Sequence, residues 1–230
     1  MAVRQVTQLN AGKKTAGVDG KASLSFEERL ELIEELKAKG SDWKHQKLRE
    51  IPIPKKDGTT RTLKVPTMAD RAWQCLAKYA LEPAHEATFH ARSYGFRTGR
   101  GAHNAQKFLF DNLRSMSNGI EKRVIELDIE KCFDRIAHTA IMERLIAPRG
   151  IKSGIFRCLK TGVNPEYPEL GTPQGGVITP LTMLQKIFTK VWTQRAGADS
   201  EDDIDLLKLD FNLFHQEPKN LPLGCPIHPV

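Results

Sequence analysis

Between Val124 and Ile136 the sequence VIELDIEKCFDRI alternates with a period of two, which puts Ile125, Leu127 and Ile129 on one side of a short strand and Glu126, Asp128 and Glu130 on the other. One side asks for a core and the other carries negative charge. A carboxylate face turned to water satisfies that pattern with no further role. Upstream, Ser25-Phe26-Glu27-Glu28 reads as a capping box. It opens a helix with the stripe Leu30, Ile33, Leu36, with Lys37 and Lys39 at its negative end and Gly40 as its stop. Two extended runs, Ile51 to Pro54 and Arg61 to Pro66, flank Asp57-Gly58 and predict a hairpin, and Pro52 and Pro54 confine the first run to an edge.

Thr67-x-x-Asp70 caps a helix through Arg71, Ala72, Leu76 and Tyr79, with its end near Pro83. Further helices are expected at about Ala102 to Leu113, at Ala140 to Leu145 with Thr139 as a weak cap, and at Ile155 to Leu159. Tyr167 to Leu170 then leads into the turn Gly171-Thr172-Pro173-Gln174-Gly175-Gly176. The opening stretch Asn10 to Gly20, rich in glycine and lysine, predicts no regular element.

At 230 residues the chain allows one large or two small domains. Its 35 Lys plus Arg against 28 Asp plus Glu leave a net charge of +7, which favours a polyanionic partner over an acidic or neutral one. Cys75, Cys132, Cys158 and Cys225 form no CxxC pair, so reduced thiols are expected rather than a zinc site or a disulfide framework. There is no basic start followed by an apolar leader, and no apolar run approaches the roughly 18 residues of a membrane span.

Basic residues gather in two places. Lys55, Lys56, Arg61 and Lys64 surround the hairpin, where they would hold phosphates or merely solubilise an exposed ribbon. In the loop Ser93-Tyr94-Gly95-Phe96-Arg97-Thr98-Gly99-Arg100-Gly101, Tyr94 and Phe96 are expected to anchor the backbone while Arg97 and Arg100 face phosphates. Gly171, Gly175 and Gly176 would allow a ligand to approach the backbone closely. Asp128, at its strand, would be a fixed hard-oxygen ligand.

Several blocks together carry a family likeness: Asp128 followed five residues on by Phe133, the run Gly171 to Leu181 reading GTPQGGVITPL, the SYGFR-x-GR loop, the IPK-x-DG-x-x-R hairpin, and Leu81-Glu82-Pro83. They resemble a reverse transcriptase of the group II intron-encoded kind. The resemblance implies an α+β fold of fingers and partial palm, a small antiparallel sheet packed on helices. It makes Asp128 the catalytic Mg²⁺ ligand and Phe133 the residue under the sugar of the incoming nucleotide. The Pro173 to Gly176 turn, with Gln174 and Gly175, would lie beside template and nucleotide. Lys55, Arg61 and Arg97 become nucleotide-binding candidates, and Lys56, Lys64, Tyr94 and Arg100 RNA-binding ones. A similar K-x-x-G-x-D-G segment near the start of the family suggests that Lys14 to Gly20 is ordered on RNA.

The pattern also breaks. Thr62 to Pro66 stands where the family reads RPLGIP, so the family's proline and glycine are replaced at this turn, and beyond Leu181 the likeness stops. The only adjacent aspartates, Asp202-Asp203, have Ser200 where the family has an aromatic residue, so a solvated acidic loop is expected instead. Asp210, at the end of an apolar run, is a second carboxylate without support. The expected organisation is a flexible basic segment at 1–24, a fingers-like region at 25–122, a partial palm at 123–185 and a divergent tail at 186–230. The expected function is that of the N-terminal part of an RNA-directed DNA polymerase. It would bind RNA and have an incomplete Mg²⁺ site and little polymerase activity alone, in the cytoplasm or in an organelle that encodes it. The alternatives are a non-catalytic RNA-binding or assembly protein with a partner on residues 186–230, and a palm-type nucleotide cyclase.

Overall fold

A computed structural model describes residues 1–56, 58–117, 132–161, 169–172 and 176–184. In chain order, α1 (Ala2–Arg4) runs into a π-helical turn (Gln5–Leu9) and a 3₁₀ turn (Ala11–Lys14). Then come α2 (Phe26–Lys39), β1 (Arg49–Pro54), β2 (Thr60–Val65), α3 (Met68–Glu86) and α4 (Ala102–Leu113). The remainder is α5 (Cys132–Arg135), α6 (His138–Arg144), α7 (Arg149–Thr161) and α8 (Thr179–Leu184). Among the described residues the sheet is the two-stranded antiparallel hairpin, with helices making up the rest of the α+β fold.

The molecule is organised on α3. Every residue from Asp70 to Cys75 is buried, so this half of the helix is covered all round rather than along one stripe. Val3 and Val6 pack on one side of the same core as Trp73, Ile155, Leu159, Ile178 and Leu181. Each large side chain removed from water contributes about 1.5–3 kcal/mol. Two buried polar residues of α3 reach distant parts of the chain. Gln74 joins Cys158 of α7 to Val177, while Arg71 donates to the carbonyls of Pro66 (2.9 Å), Gly12 (2.9 Å) and Thr15 (2.6 Å).

The local signals behave as their chemistry demands. Ser25 accepts from the Glu28 amide and Glu28 accepts from the Ser25 amide, completing the box that starts α2. Thr67 caps α3 through the Asp70 amide at 3.1 Å. The hairpin pairs Ile51 with Leu63 and Ile53 with Arg61, and its loop closes through Lys55 N–H to the Thr59 carbonyl, with Gly58 at φ +79°.

Three expectations need correction. Helix α3 does not end at Pro83 but continues to Glu86, because the buried Leu81 and His85 hold its last turn although Pro83 has no amide to donate. Gly40 does end α2 as expected, leading into a 3₁₀ turn with its carbonyl accepting from Trp73 Nε1. Thr139 lies inside α6 and Ala137 takes the cap position. The start of the chain forms helical turns, and Arg71 draws Gly12 and Thr15 onto the hairpin base, which Gly17 approaches so closely that a Cβ there would stand 2.6 Å from Thr67 Cα.

Gly154 is where α7 touches α3. A Cβ at this position would lie 2.3 Å from Trp73 Cζ2. Alanine would gain about 1 kcal/mol of helix propensity, but overpacking a tight core costs about 1–3 kcal/mol or more. Gly154→Ala should therefore lower the urea midpoint. A midpoint at or above the wild-type value would show that the two helices separate at no cost.

Candidate functional site

The hairpin stands away from the core, held at its base by the buried Val65 and Pro66, so Lys55, Lys56 and Arg61 lie exposed towards its tip. Strand alternation separates two of the candidates. Arg61 shares a face with Ile51, Ile53 and Leu63, whereas Lys64 opposes Glu50 on the other face. Half-buried Lys64 lines a cleft of about 260 Å³ with Thr15, Pro66, Arg71 and Val177, next to the glycine turn. Arg61 and Lys64 therefore serve different sides of the ribbon.

The SYGFR loop is ordered by its own arginine. Arg97, expected to face phosphate, turns inward: its side chain is 2% exposed and forks onto Glu86 at 3.0 and 2.5 Å. Its remaining donors reach the carbonyls of His90 (2.6 Å) and Ser93 (2.7 Å), and Phe89 lies 5.4 Å beneath it. Hydrogen bonding from Arg97 holds the Glu86 carboxyl below the usual carboxylate range. Tyr94 anchors the loop as expected, packing on Phe108. Phe96 does not, being 75% exposed at φ +58°. Arg100 remains at the surface over the Tyr94 ring, bound to the Ala91 carbonyl at 2.8 Å.

The third cluster brings two sequence candidates together. Half-buried Phe133 in α5 accepts from the Thr172 amide at 2.7 Å, and the Gly171 amide donates to the Ile136 carbonyl at 2.7 Å. Ala137 and Leu170 form an antiparallel bridge beside them. Gly171 sits at φ +88°, and a Cβ there would meet the Asp134 carbonyl oxygen at 3.1 Å, so both backbone angle and space call for glycine. The start of the GTPQGG run is thereby fixed against the residue expected under the nucleotide sugar.

Asp128, Gln174 and Gly175 lie outside the described residues. Among those described, no group of three or more His, Cys, Asp or Glu is placed to hold a metal ion. The described residues therefore do not by themselves make a Mg²⁺ site. No described helix is long and apolar enough to cross a membrane.

Sequence reasoning missed four buried polar residues that shape these clusters: Asp70, Arg71, Gln74 and His138. Asp70 accepts from Trp43 Nε1 (2.9 Å), the Gln46 amide (3.1 Å) and Thr67 Oγ1 (2.8 Å), with His45 Nδ1 at 3.1 Å. Burial alone would raise its pKa, but the hydrogen bonds from His45, Trp43 and Thr67 prevail and hold it below the usual range. Only the Thr67-x-x-Asp70 cap hinted at this residue.

Residues 53–196 match the family of reverse transcriptases described as RNA-dependent DNA polymerases, and residues 1–36 match the N-terminal domain of reverse transcriptase. Maturase-like protein 1 of Euglena gracilis is 41% identical over 169 residues, 74% of this chain and 37% of that protein. Protein YkfC of Escherichia coli (strain K12) is 32% identical over 77% of this chain and 49% of its own length. Group II intron-encoded protein LtrA of Lactococcus lactis subsp. cremoris is 32% identical over 75% of this chain and 29% of its own. The chain thus spans well under two thirds of these relatives. It belongs to the reverse transcriptase family, in the branch whose matched members are maturase-like and group II intron-encoded proteins.

Proposed function

We propose that this chain forms the fingers and first part of the palm of a group II intron-type RNA-directed DNA polymerase. It binds RNA along the hairpin and the SYGFR loop, and alone it polymerises little or not at all. The observation that carries the reading is the 2.7 Å bond from the Thr172 amide to the Phe133 carbonyl, which joins the expected sugar-contacting residue to the turn expected beside the nucleotide. The exposed Lys55, Lys56 and Arg61 supply cations on a protruding ribbon. Asp128 would be the Mg²⁺ ligand of such a site. No aromatic-x-Asp-Asp sequence occurs in the chain, and one carboxylate is too few to hold two metal ions in line. The site of action is the cytoplasm or an RNA-containing organelle.

Affinity for single-stranded RNA should fall as salt rises, and Arg61→Ala or Lys55→Ala should each flatten the log–log slope by about 0.7, the increment for one phosphate on a single strand. Affinity independent of salt would sink the binding claim. Primer extension with Mg²⁺ should show no appreciable synthesis, and synthesis abolished by Asp128→Ala would overturn the expected inactivity.

A further inference from the structure

One bulky side chain of the SYGFR loop is held out in water at a conformational cost. Phe96 is 75% exposed, and its φ of +58° lies in the left-handed region that a residue with a large side chain enters only under strain. Gly95 beside it could take that angle freely and does not. With three quarters of the residue in water, burial offsets little of the strain.

The conformation is imposed by its neighbours. Arg97, its side chain 2% exposed, forks onto Glu86 and donates to the carbonyls of His90 and Ser93, so the loop is tied down immediately after the ring. Two residues before it, half-buried Tyr94 packs on Phe108 with ring centroids 6.3 Å apart. A ring carried between two anchors has less freedom to lose on meeting a partner. Strain retained in so closely tied a loop points to a function for the side chain it displays.

The chemistry beside the ring selects the partner. Tyr94 and Thr98, two residues to either side, line a cleft of about 540 Å³ together with Arg100 and Lys107. Arg100 lies 5.9 Å from the centre of the Tyr94 ring and Arg92 lies 4.8 Å from that of Phe108; both are exposed, as is Lys107. The carboxylates of that lining are Glu86 and Asp111, and Glu86 is already held by Arg97. Cations interleaved with aromatic rings suit a strand that offers phosphates and open base faces together, which is single-stranded RNA. An apolar protein surface calls for the ring but not for the three cations.

We propose that Phe96 is a base-stacking residue, which presents its ring to an unpaired base of bound RNA while Arg92, Arg100 and Lys107 face the flanking phosphates. This deepens the RNA binding proposed above and rests on it. Stacking needs a π-face and not a charge, so Phe96 adds affinity without adding to the salt slope.

Three substitutions in the full chain separate stacking from other roles. Phe96→Gly removes ring and strain together, Phe96→Leu keeps an apolar side chain without a π-face, and Phe96→Trp enlarges the face. Affinity for a single-stranded RNA oligonucleotide would be measured across a salt series, beside a ribose-phosphate strand of equal length that lacks bases, with urea unfolding of each variant. Phe96→Gly and Phe96→Leu should each bind the RNA about tenfold more weakly, within the range for one base–aromatic stack, with the salt slope and the affinity for the abasic strand unchanged. Phe96→Trp should bind at least as tightly as the wild type, and RNA should quench its emission by more than it quenches that of the wild type. The urea midpoint of Phe96→Gly should equal or exceed the wild-type value, because glycine adopts this angle without strain. Wild-type RNA affinity in Phe96→Gly overturns the proposal, and so does full affinity in Phe96→Leu, which would leave a plain apolar contact instead. A lowered midpoint in Phe96→Gly would make the ring a prop of the loop and overturns it as well. If the wild type binds neither strand, the function proposed above fails and stacking with it; if it binds both strands equally, RNA binding stands and stacking alone falls.

Discussion

Asp70→Ala should lower the unfolding free energy by about 3–5 kcal/mol, the range for leaving a buried charged network without one of its members. The carboxylate is 1% exposed and serves four groups on two stretches of chain: Trp43, His45 and the Gln46 amide before β1, and Thr67 at the start of α3. Alanine leaves the indole N–H and the Gln46 amide without their acceptor, and Thr67 without the reciprocal partner of its cap. Because the loop before β1 and the start of α3 meet here, the loss should extend to the hairpin base. Asp70→Asn, which keeps one carbonyl acceptor, should fall between. The pH dependence has a definite sign: the folded pKa lies below the ordinary 3.8, so the contribution is complete above that value and is lost as pH falls through the folded pKa. The gap between wild type and Asp70→Ala should shrink on acidification. Urea unfolding followed by tryptophan fluorescence reads both effects, and coincident midpoints at neutral pH would show that the network contributes nothing.

Arg97→Ala should cost about 2 kcal/mol and leave the salt slope of RNA binding unchanged. Breaking a fully buried pair costs about 3–5 kcal/mol, but Glu86 is 36% exposed, so water recovers part of the loss. The remainder comes from the carbonyls of His90 and Ser93, which lose their donor where the loop must hold Phe96 at φ +58°. Lysine should not rescue, since a single ammonium cannot fork onto Glu86 and reach both carbonyls. Arg61→Ala should behave in the opposite way, with little change in stability and a flatter slope. If Arg97→Ala flattened the slope without lowering stability, the guanidinium would be at the nucleic acid after all.

Much of the fold could be read before folding. The Ser25–Glu28 box, the Thr67 cap, the hairpin around Gly58 and the span of α4 all follow from contacts between near neighbours in the chain. The family was legible for a related reason: its blocks are contiguous runs that need no partner to be noticed. The site was legible in residue type more than in role. Lys55, Lys56 and Arg61 stand in solvent as the charge pattern suggested, whereas Arg97 bears the same charge and points inward. Nothing in the SYGFR run distinguishes it from Arg100, because the difference is made by the close fork onto Glu86, eleven residues earlier, and by the His90 and Ser93 carbonyls, whereas Arg100 comes only within 4.0 Å of the same carboxylate.

The primary structure alone settled the caps, the ribbon, the net positive charge and the kinship with reverse transcriptases. Packing decided which polar side chains are turned inward: Asp70 toward Trp43, Arg71 toward Gly12, Gln74 toward Val177 and His138 toward Gly171. The separations in those pairs run from 27 to 103 residues. A polar residue becomes buried only when distant chain supplies both the cover and the hydrogen-bond partner, and short-range periodicity contains neither.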